Sequence, residues 1–265
     1  MEIELDFTET AQQNAARLYD EAKRLREKAR RAGKAIAETE EKLRRAKEKA
    51  EAGARARQPP AARVRREKQW FERFRWFYTS GGRLCIAGRD AKQNEAVVLH
   101  RLEPGDLFFH ADIHGAPATV LKGGAQAPRK EKEEAAQFAA SYSSAWKLGS
   151  ASVDVYAVNP EQVSKRAESG ESAGKGAFII RGEREWFRNT PLGLLLGAGS
   201  EGVESAPASR GPGGMKSSAE IRPGGLEKGE AAKKIARALG GNASLDEILQ
   251  ALPSGSSSIS RPFPA

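Results

Sequence analysis

Apolar residues at Ala11, Ala15, Leu18, Ala22, Leu25, Ala29 and Ala32 are spaced by alternating steps of four and three. The same phase runs on through Ile36, Thr39, Leu43, Ala46 and Ala50. Only an α-helix brings positions at this spacing onto one stripe, and a stripe this narrow is a coiled-coil seam. Thr10, with Gln13 three residues on, forms a capping box at its start. Gly33 sits in the middle and costs about 1 kcal/mol in a helix interior. Two geometries are open: one long helix, or two helices folded back at Gly33, with the unbroken phase favouring the first. The seam is rich in Ala, so the helix needs a partner helix from this chain, a second copy or another protein. Upstream, Ile3, Leu5 and Phe7 alternate as in a short strand.

Glycine and paired prolines in residues 53–62 end the helical pattern. A short basic helix is expected next, from Val64 to Arg75. Positions 63–75 hold six Arg or Lys against two Glu, a net +4. Trp70, Phe71, Phe74, Trp76 and Phe77 interleave with those charges, which predicts a helix docked through its rings with its cations displayed.

Beyond Trp76 the period changes. Residues 76–79 and 83–88 read as strands around a Ser-Gly-Gly turn. Asp90 to Leu102 reads as a helix, and Glu103 to Asp106 as a turn. LFFHADIH (107–114) and PATVLK (117–122) read as strands, Lys130 to Lys147 as an amphipathic helix, and residues 152–158 and 177–182 as further strands. Irregular alternation of this kind predicts an α+β domain with a compact mixed or antiparallel sheet and flanking helices. Residues 193–217, rich in Gly and Ser, read as flexible. Leu226 to Leu239 and Ser244 to Leu252 read as a small helical appendix, followed by a loose tail. The expected organisation is a coiled-coil arm over 1–62, a domain over 63–190, a linker over 191–217 and the appendix over 218–265.

Three clusters carry possible chemistry. His110, Asp112 and His114 alternate along a predicted strand and would share one face. That face suits a metal or a polar ligand. Residues 88–95 combine Gly88 with Arg89, Asp90, Gln93, Asn94 and Glu95. Arg and amide side chains bond phosphates, sugars and base edges, while Asp90 also suits a helix cap. Lys122, Lys165 and Lys175 lie where a phosphate can be reached. The chain has no phosphate-binding GxxxxGK[ST] loop and no dinucleotide GxGxxG in a strand–helix setting. No spacing marks a nucleophile and base as a pair, so catalytic residues, metal ligands and cofactors are not expected.

Charge narrows the partners. The formal net charge is +9, with 44 Lys and Arg against 35 Asp and Glu. Such a balance favours polyanions, nucleic acid first. The single Cys, Cys85, excludes an internal disulfide and fits a reducing cytoplasm. No run reaches the length of about 18 apolar residues that a membrane span needs, and the first ten residues do not read as a secretory leader.

WFERFRWFYTSGGRL, GRDAKQNE, GDLFFHADIHGAPATVLK, AASYSSAW, PEQVSK and GAFIIRG occur in this order between Trp70 and Gly182. Together they resemble the NFACT-R domain, the RNA-binding region of the NFACT family of ribosome-quality-control factors, with the match spanning Arg63 to Gly182. NAARLYDEAK and the long helix resemble the end of that family's coiled-coil middle region. The resemblance implies binding to tRNA or rRNA on the large ribosomal subunit, in the cytoplasm. It also implies work with a separate NFACT-N-containing partner joined through the coiled coil, because the chain is expected to begin at that portion. The residues expected to bind RNA are Arg65, Arg66, Lys68, Arg73, Arg75, Arg89, Gln93, Asn94, His110, Asp112, His114, Lys122 and Lys165. The expected protein is a non-enzymatic RNA-binding factor. The alternatives are a coiled-coil adaptor, a DNA-binding module, and a metal-dependent hydrolase at His110–His114.

Overall fold

A computed structural model describes residues 7–8, 10–56, 67, 69–165, 174, 176–199, 202–240 and 243–263. The chain divides into two compact units, Met1–Arg65 and Arg66–Ala265.

In the first unit, α1 (Ala11–Ala56) is one continuous helix of 46 residues. The capping box forms as expected: Thr10 Oγ1 accepts from Gln13 N, and Gln13 Oε1 accepts from Thr10 N at 2.8 Å. The helix passes through Gly33 without folding back, and nothing lies within 4 Å of where a Cβ would stand there. Flanking Ala, Lys, Arg and Glu favour propagation, and Glu41 holds both Arg44 and Arg45 one turn on. Leu25, Ile36 and Leu43 of the seam are exposed. The strand expected at the N-terminus falls largely outside the described residues.

The second unit is α+β. Its elements are β1 (Arg75–Tyr78), β2 (Leu84–Ala87), α2 (Ala91–Arg101), β3 (Leu107–Ala111), β4 (Thr119–Leu121), α3 (Arg129–Ser141), α4 (Ser144–Lys147), β5 (Ser152–Val158), β6 (Val163–Ser164), β7 (Ile179–Ile180), β8 (Glu185–Pro191), β9 (Leu194–Ala198), β10 (Val203–Pro207), β11 (Ser217–Leu226), α5 (Lys228–Ala238), α6 (Leu245–Ala251) and β12 (Ser257–Phe263). A six-stranded sheet has the order β1-β2-β4-β3-β5-β8, and a four-stranded sheet the order β10-β9-β11-β12. Every pair in them is antiparallel.

Alternation along the strands sorts side chains onto two faces. Phe77, Cys85, Phe109 and Phe187 join Phe138 and Trp146 of the α3–α4 segment in a large core. That core continues through Leu194, Leu196 and Ile221 of the second sheet to Ile235 of α5 and Ile248 of α6. Ile86, Val120, Phe108 and Val158 face the other way, under Phe71, Phe74 and Val97 of α2.

Several expectations are corrected. The basic helix over 64–75 does not form in its described part. Residues Gln69 to Phe74 make turns, with Glu72 N donating to Gln69 O and Phe74 N to Phe71 O, and Arg75 already pairs as strand. The reason is burial: Phe71 and Phe74 both enter the second core. The strand 107–114 stops at Ala111, because Gly115 has a φ of +83° and Pro117 follows, so the chain turns. The helix 130–147 breaks at Tyr142, and Ser143 recaps it by accepting from Ala145 N at 3.2 Å. The strand 177–182 is reduced to Ile179–Ile180.

The segment 193–217 holds strands β9 and β10 and leads into β11. Leu194, Leu195 and Leu196 are buried, and Gly197 lies where a Cβ would come 2.6 Å from the Ser217 carbonyl oxygen. Its glycine permits close packing. The tail read as loose forms β12, paired with β11. The two expected appendix helices form as α5 and α6 but belong to the large core.

Candidate nucleic-acid interface

The face of the six-stranded sheet that carries Phe108 packs under Val97 of α2, and Phe178 and Ile180 pack partly against it; His110 and Trp186 are half-buried there and Tyr156 is buried. Register places His110 of β3 opposite Tyr156 of β5, and Tyr156 opposite Trp186 of β8. The result is a row of rings across the sheet. Phe108 and His110 stack with planes 10° apart, His110 and Tyr156 have centroids 5.8 Å apart, and Tyr156 and Trp186 5.5 Å apart. Arg184 and Arg188 flank Trp186 at alternate positions. The Arg184 guanidinium lies 4.5 Å from the centre of the Tyr156 ring, and that of Arg188 lies 3.8 Å from Trp186. Rings and arginines interleaved on a sheet suit single-stranded nucleic acid, whose bases stack while cations take the phosphates.

Beside this row lies a cavity of about 460 Å³, lined by Arg75, Arg89, Asp90, Asn94, His110 and His114 among others. Phe108, Tyr142, Tyr156 and Phe178 supply its apolar wall. The start of α2 shapes one side. Asp90 caps the helix by accepting from Gln93 N at 2.8 Å. Gln93 ties the neighbouring loop down, accepting from Arg89 N and donating to the Arg73 carbonyl. Asn94 Oδ1 accepts from Ala118 N at 3.1 Å and fixes α2 against the segment before β4. Gly88 packs so tightly there that a Cβ would lie 2.7 Å from the Asn94 backbone nitrogen.

Arg75 lies over the Tyr142 ring at 4.4 Å and donates through Nη1 to the Gly88 carbonyl. Its Nε is buried with no partner among the described residues. Burial lowers the pKa of Arg75. Arg89 donates to the Phe74 carbonyl at 3.1 Å and reaches Gln250 of α6. Burial also lowers the His110 pKa, with partly opposing backbone bonds to Ala111 and Ala116, which favours a neutral imidazole at pH 7.

The cavity therefore gathers Arg75, Arg89, Asn94, His110 and His114 from the expected set. Asp112 lies beside it with His110, His114 and Arg184. The three residues of HADIH do not share a strand face: Asp112 and His114 occupy the bend and turn after Ala111. Among the described residues no group of three or more His, Cys, Asp or Glu is placed to hold a metal ion.

Other expected residues serve structure in the first instance. Lys122 is pinned by Asp106 at 2.5 Å, Glu103 at 2.7 Å and the Arg101 carbonyl at 2.9 Å, which closes the turn before β3. Lys165 pairs with Glu95, which also accepts from Gly176 N, so it anchors a loop to α2. Arg73 is exposed and lies 4.7 Å from the Phe74 ring centre. Arg65, Arg66 and Lys68 lie outside the described residues, as does Lys175. Sequence reasoning missed Tyr156, Phe178, Arg184, Trp186 and Arg188. The signal was the i, i+2, i+4 spacing of Arg184, Trp186 and Arg188, which a strand carries on one face. No helix among the described residues is long and apolar enough to cross a membrane.

Residues 73–182 match the family model described as the NFACT protein RNA binding domain. The archaeal Rqc2 homolog aRqcH of Methanocaldococcus jannaschii is 41% identical over 199 residues, covering 73% of this chain and 30% of that protein. The human ribosome quality control complex subunit NEMF is 40% identical over 134 residues, 50% of this chain and 12% of that one. Ribosome quality control complex subunit 2 of Schizosaccharomyces pombe is 28% identical over 204 residues, 74% of this chain and 19% of its own length. The chain thus matches less than a third of the length of each of these relatives. A solved structure of the C-terminal part of the fibronectin/fibrinogen-binding protein from Streptococcus suis aligns with a TM-score of 0.39 and 20% identity over 49% of each chain, too distant to support the fold. By the family match and these relatives, residues 73–182 are similar to the NFACT-R region and the chain resembles the C-terminal half of NFACT factors.

Proposed function

We propose that this chain binds RNA through the Tyr156–Trp186 face of its six-stranded sheet and acts without catalysis in ribosome-associated quality control. One observation carries the reading. The segment that matches the NFACT RNA-binding model contains Arg75, Arg89, Asn94, His110 and His114, and these converge on one cavity beside the Tyr156–Trp186 row. The relatives' names place them in ribosome quality control. On this reading the RNA is tRNA or rRNA, the site of action is the large ribosomal subunit, and the compartment is the cytoplasm. Phosphate contacts fall to the exposed Arg73, Arg89, Arg184 and Arg188 and to the basic segment with Arg65, Arg66 and Lys68. Neutralised phosphates release counterions, so affinity falls steeply with salt. Crosslinking in cells followed by sequencing of bound RNA, with co-sedimentation on large subunits, tests the proposal. Enrichment of tRNA or rRNA is expected, and recovery of neither overturns it.

The exposed seam of α1 supports a second, compatible role. Leu25, Ile36 and Leu43 lie at heptad positions of one helix and are exposed. On this reading α1 pairs with a partner helix, an NFACT-N-containing protein being the expected source. Asp substitution at these three positions abolishes the pairing in a pull-down, and an undiminished pull-down contradicts it.

A further inference from the structure

We propose that the cavity between α2 and the β3–β5 end of the sheet receives one unpaired nucleobase extruded from an RNA strand, with its phosphates left outside. This deepens the RNA-binding reading above and rests on it.

Size is the first reason. A cavity of about 460 Å³ falls within the range of about 300–1,000 Å³ typical of small-ligand sites, and it is far too small for a duplex. The wall is the second reason. Phe108, Tyr156 and Phe178 line it, the first two buried and Phe178 half-buried, and every base has a flat face that stacks on an aromatic ring. The placement of charge is the third. Asp90 lines the cavity and its carboxylate repels a phosphate, yet accepts from the ring or amino N–H groups of a base edge. Asn94 adds a donor: its Oδ1 is taken by Ala118 N, while its Nδ2 has no acceptor among the described residues. His110 also lines the cavity, its imidazole held by backbone bonds to Ala111 and Ala116. Two cations also line the cavity: Arg75, held by the Gly88 carbonyl and the Tyr142 ring, and the exposed Arg89; the exposed Arg184 borders the adjoining groove with Asp112 and His114.

A base reaches such a cavity only when it is not paired, because extrusion from a duplex costs a few kcal/mol of pairing and stacking. The site therefore selects single-stranded segments, loops or ends. A nucleotide free in solution shares the same chemistry, and the experiment separates the two sources.

The experiment uses the full chain and a fluorescently labelled short single-stranded oligoribonucleotide at moderate salt. Its comparison strand has the same length and every base removed. The intact strand is expected to bind on the order of tenfold tighter, the effect of one stacked base, and a fully paired duplex more weakly than the intact single strand. Nucleoside monophosphates are expected to displace the strand only at far higher concentration, and ribose 5-phosphate not at all. Ala177 is exposed and lines the cavity, so Ala177→Trp fills it without altering charge. That variant is expected to weaken the intact strand and leave the abasic strand unchanged. Ser254→Trp, at another lining position, serves as the second variant.

Equal binding of intact and abasic strands overturns the extruded-base inference while leaving RNA binding in place. A preference for the intact strand that survives both fillings also overturns it, by moving the base contact elsewhere. Tight displacement by a nucleoside monophosphate reassigns the cavity to a free nucleotide and overturns it. Failure of every strand to bind overturns the proposed function itself.

Discussion

The Arg188 guanidinium lies 3.8 Å from the centre of the Trp186 ring while its Nη1 donates to Asp154 Oδ2 at 2.6 Å. One arginine over an indole is thus also held by a carboxylate from the neighbouring strand. The bond from Arg188, with that from Asn189 N, holds the Asp154 carboxyl below its usual pKa. Exposed pairs of this kind contribute about 0–1 kcal/mol, so Arg188 is free to exchange its partner for a phosphate. Asp154→Asn keeps the acceptor for Asn189 N and removes the competing charge. RNA affinity is expected to rise by up to about fivefold, read by fluorescence anisotropy. A fall would mean that the pair itself positions Arg188 for RNA.

Gly88 sits at the base of the cavity where a Cβ would come 2.7 Å from the Asn94 backbone nitrogen. The contact is to backbone and cannot swing aside. Gly88→Ala is therefore expected to cost about 1–3 kcal/mol, the usual range for overpacking, and to weaken RNA binding by displacing the start of α2. Urea denaturation and anisotropy on the same preparation check both effects. An unchanged midpoint would show that the junction yields.

Trp146 Nε1 donates to the Ser256 carbonyl and to Ser257 Oγ, each at 3.2 Å, tying α4 to the start of β12. Trp146→Phe keeps most of the buried ring and removes the donor. The expected loss is about 1–3 kcal/mol, the cost of leaving buried partners unsatisfied, with the denaturant slope unchanged. A loss under about 0.5 kcal/mol is what a surface position gives and would contradict the burial of the C-terminal strand.

His110 titrates with a pKa lowered chiefly by burial. Its folded state then binds fewer protons than its unfolded state, so this residue contributes stability above the ordinary imidazole value of about 6.5 and loses it as pH falls below that value. Stability measured from pH 7.5 to pH 5.5 is expected to decline in the native chain and to decline less in His110→Gln. Identical slopes in the two proteins would remove His110 as a source of the dependence.

What the sequence showed and what it hid follow from range. The heptad phase of residues 11–50 is local, and α1 follows it through Gly33. The Asp90 cap, the α2 span and the Ser-Gly-Gly hairpin are local too, and each appears within a residue or two of its expected place. Failures came where tertiary contacts override composition. Gly193, Gly197 and Gly199 read as flexible, yet Gly197 exists to let β9 approach Met215 and Ser217. The Gly115 turn overrode an alternating HADIH pattern that looked like strand. Of the candidate site, Arg75, Arg89, Asn94, His110 and His114 were legible because they are polar residues among apolar neighbours. Tyr156 and Trp186 were not, because only the β3–β5–β8 register reveals that they share a face.

The central claim is that the Tyr156–Trp186 face of this sheet grips RNA. The most direct test is the affinity of the full chain for single-stranded RNA as a function of salt, beside the double variant Arg184→Glu, Arg188→Glu. The account predicts that log affinity falls linearly with log salt, with a slope near 0.7 per phosphate neutralised on a single strand. The double variant should bind at least tenfold more weakly, with a slope shallower by about 1.4, since two contacts are lost. A variant that binds with the same affinity and the same slope as the native chain would contradict it.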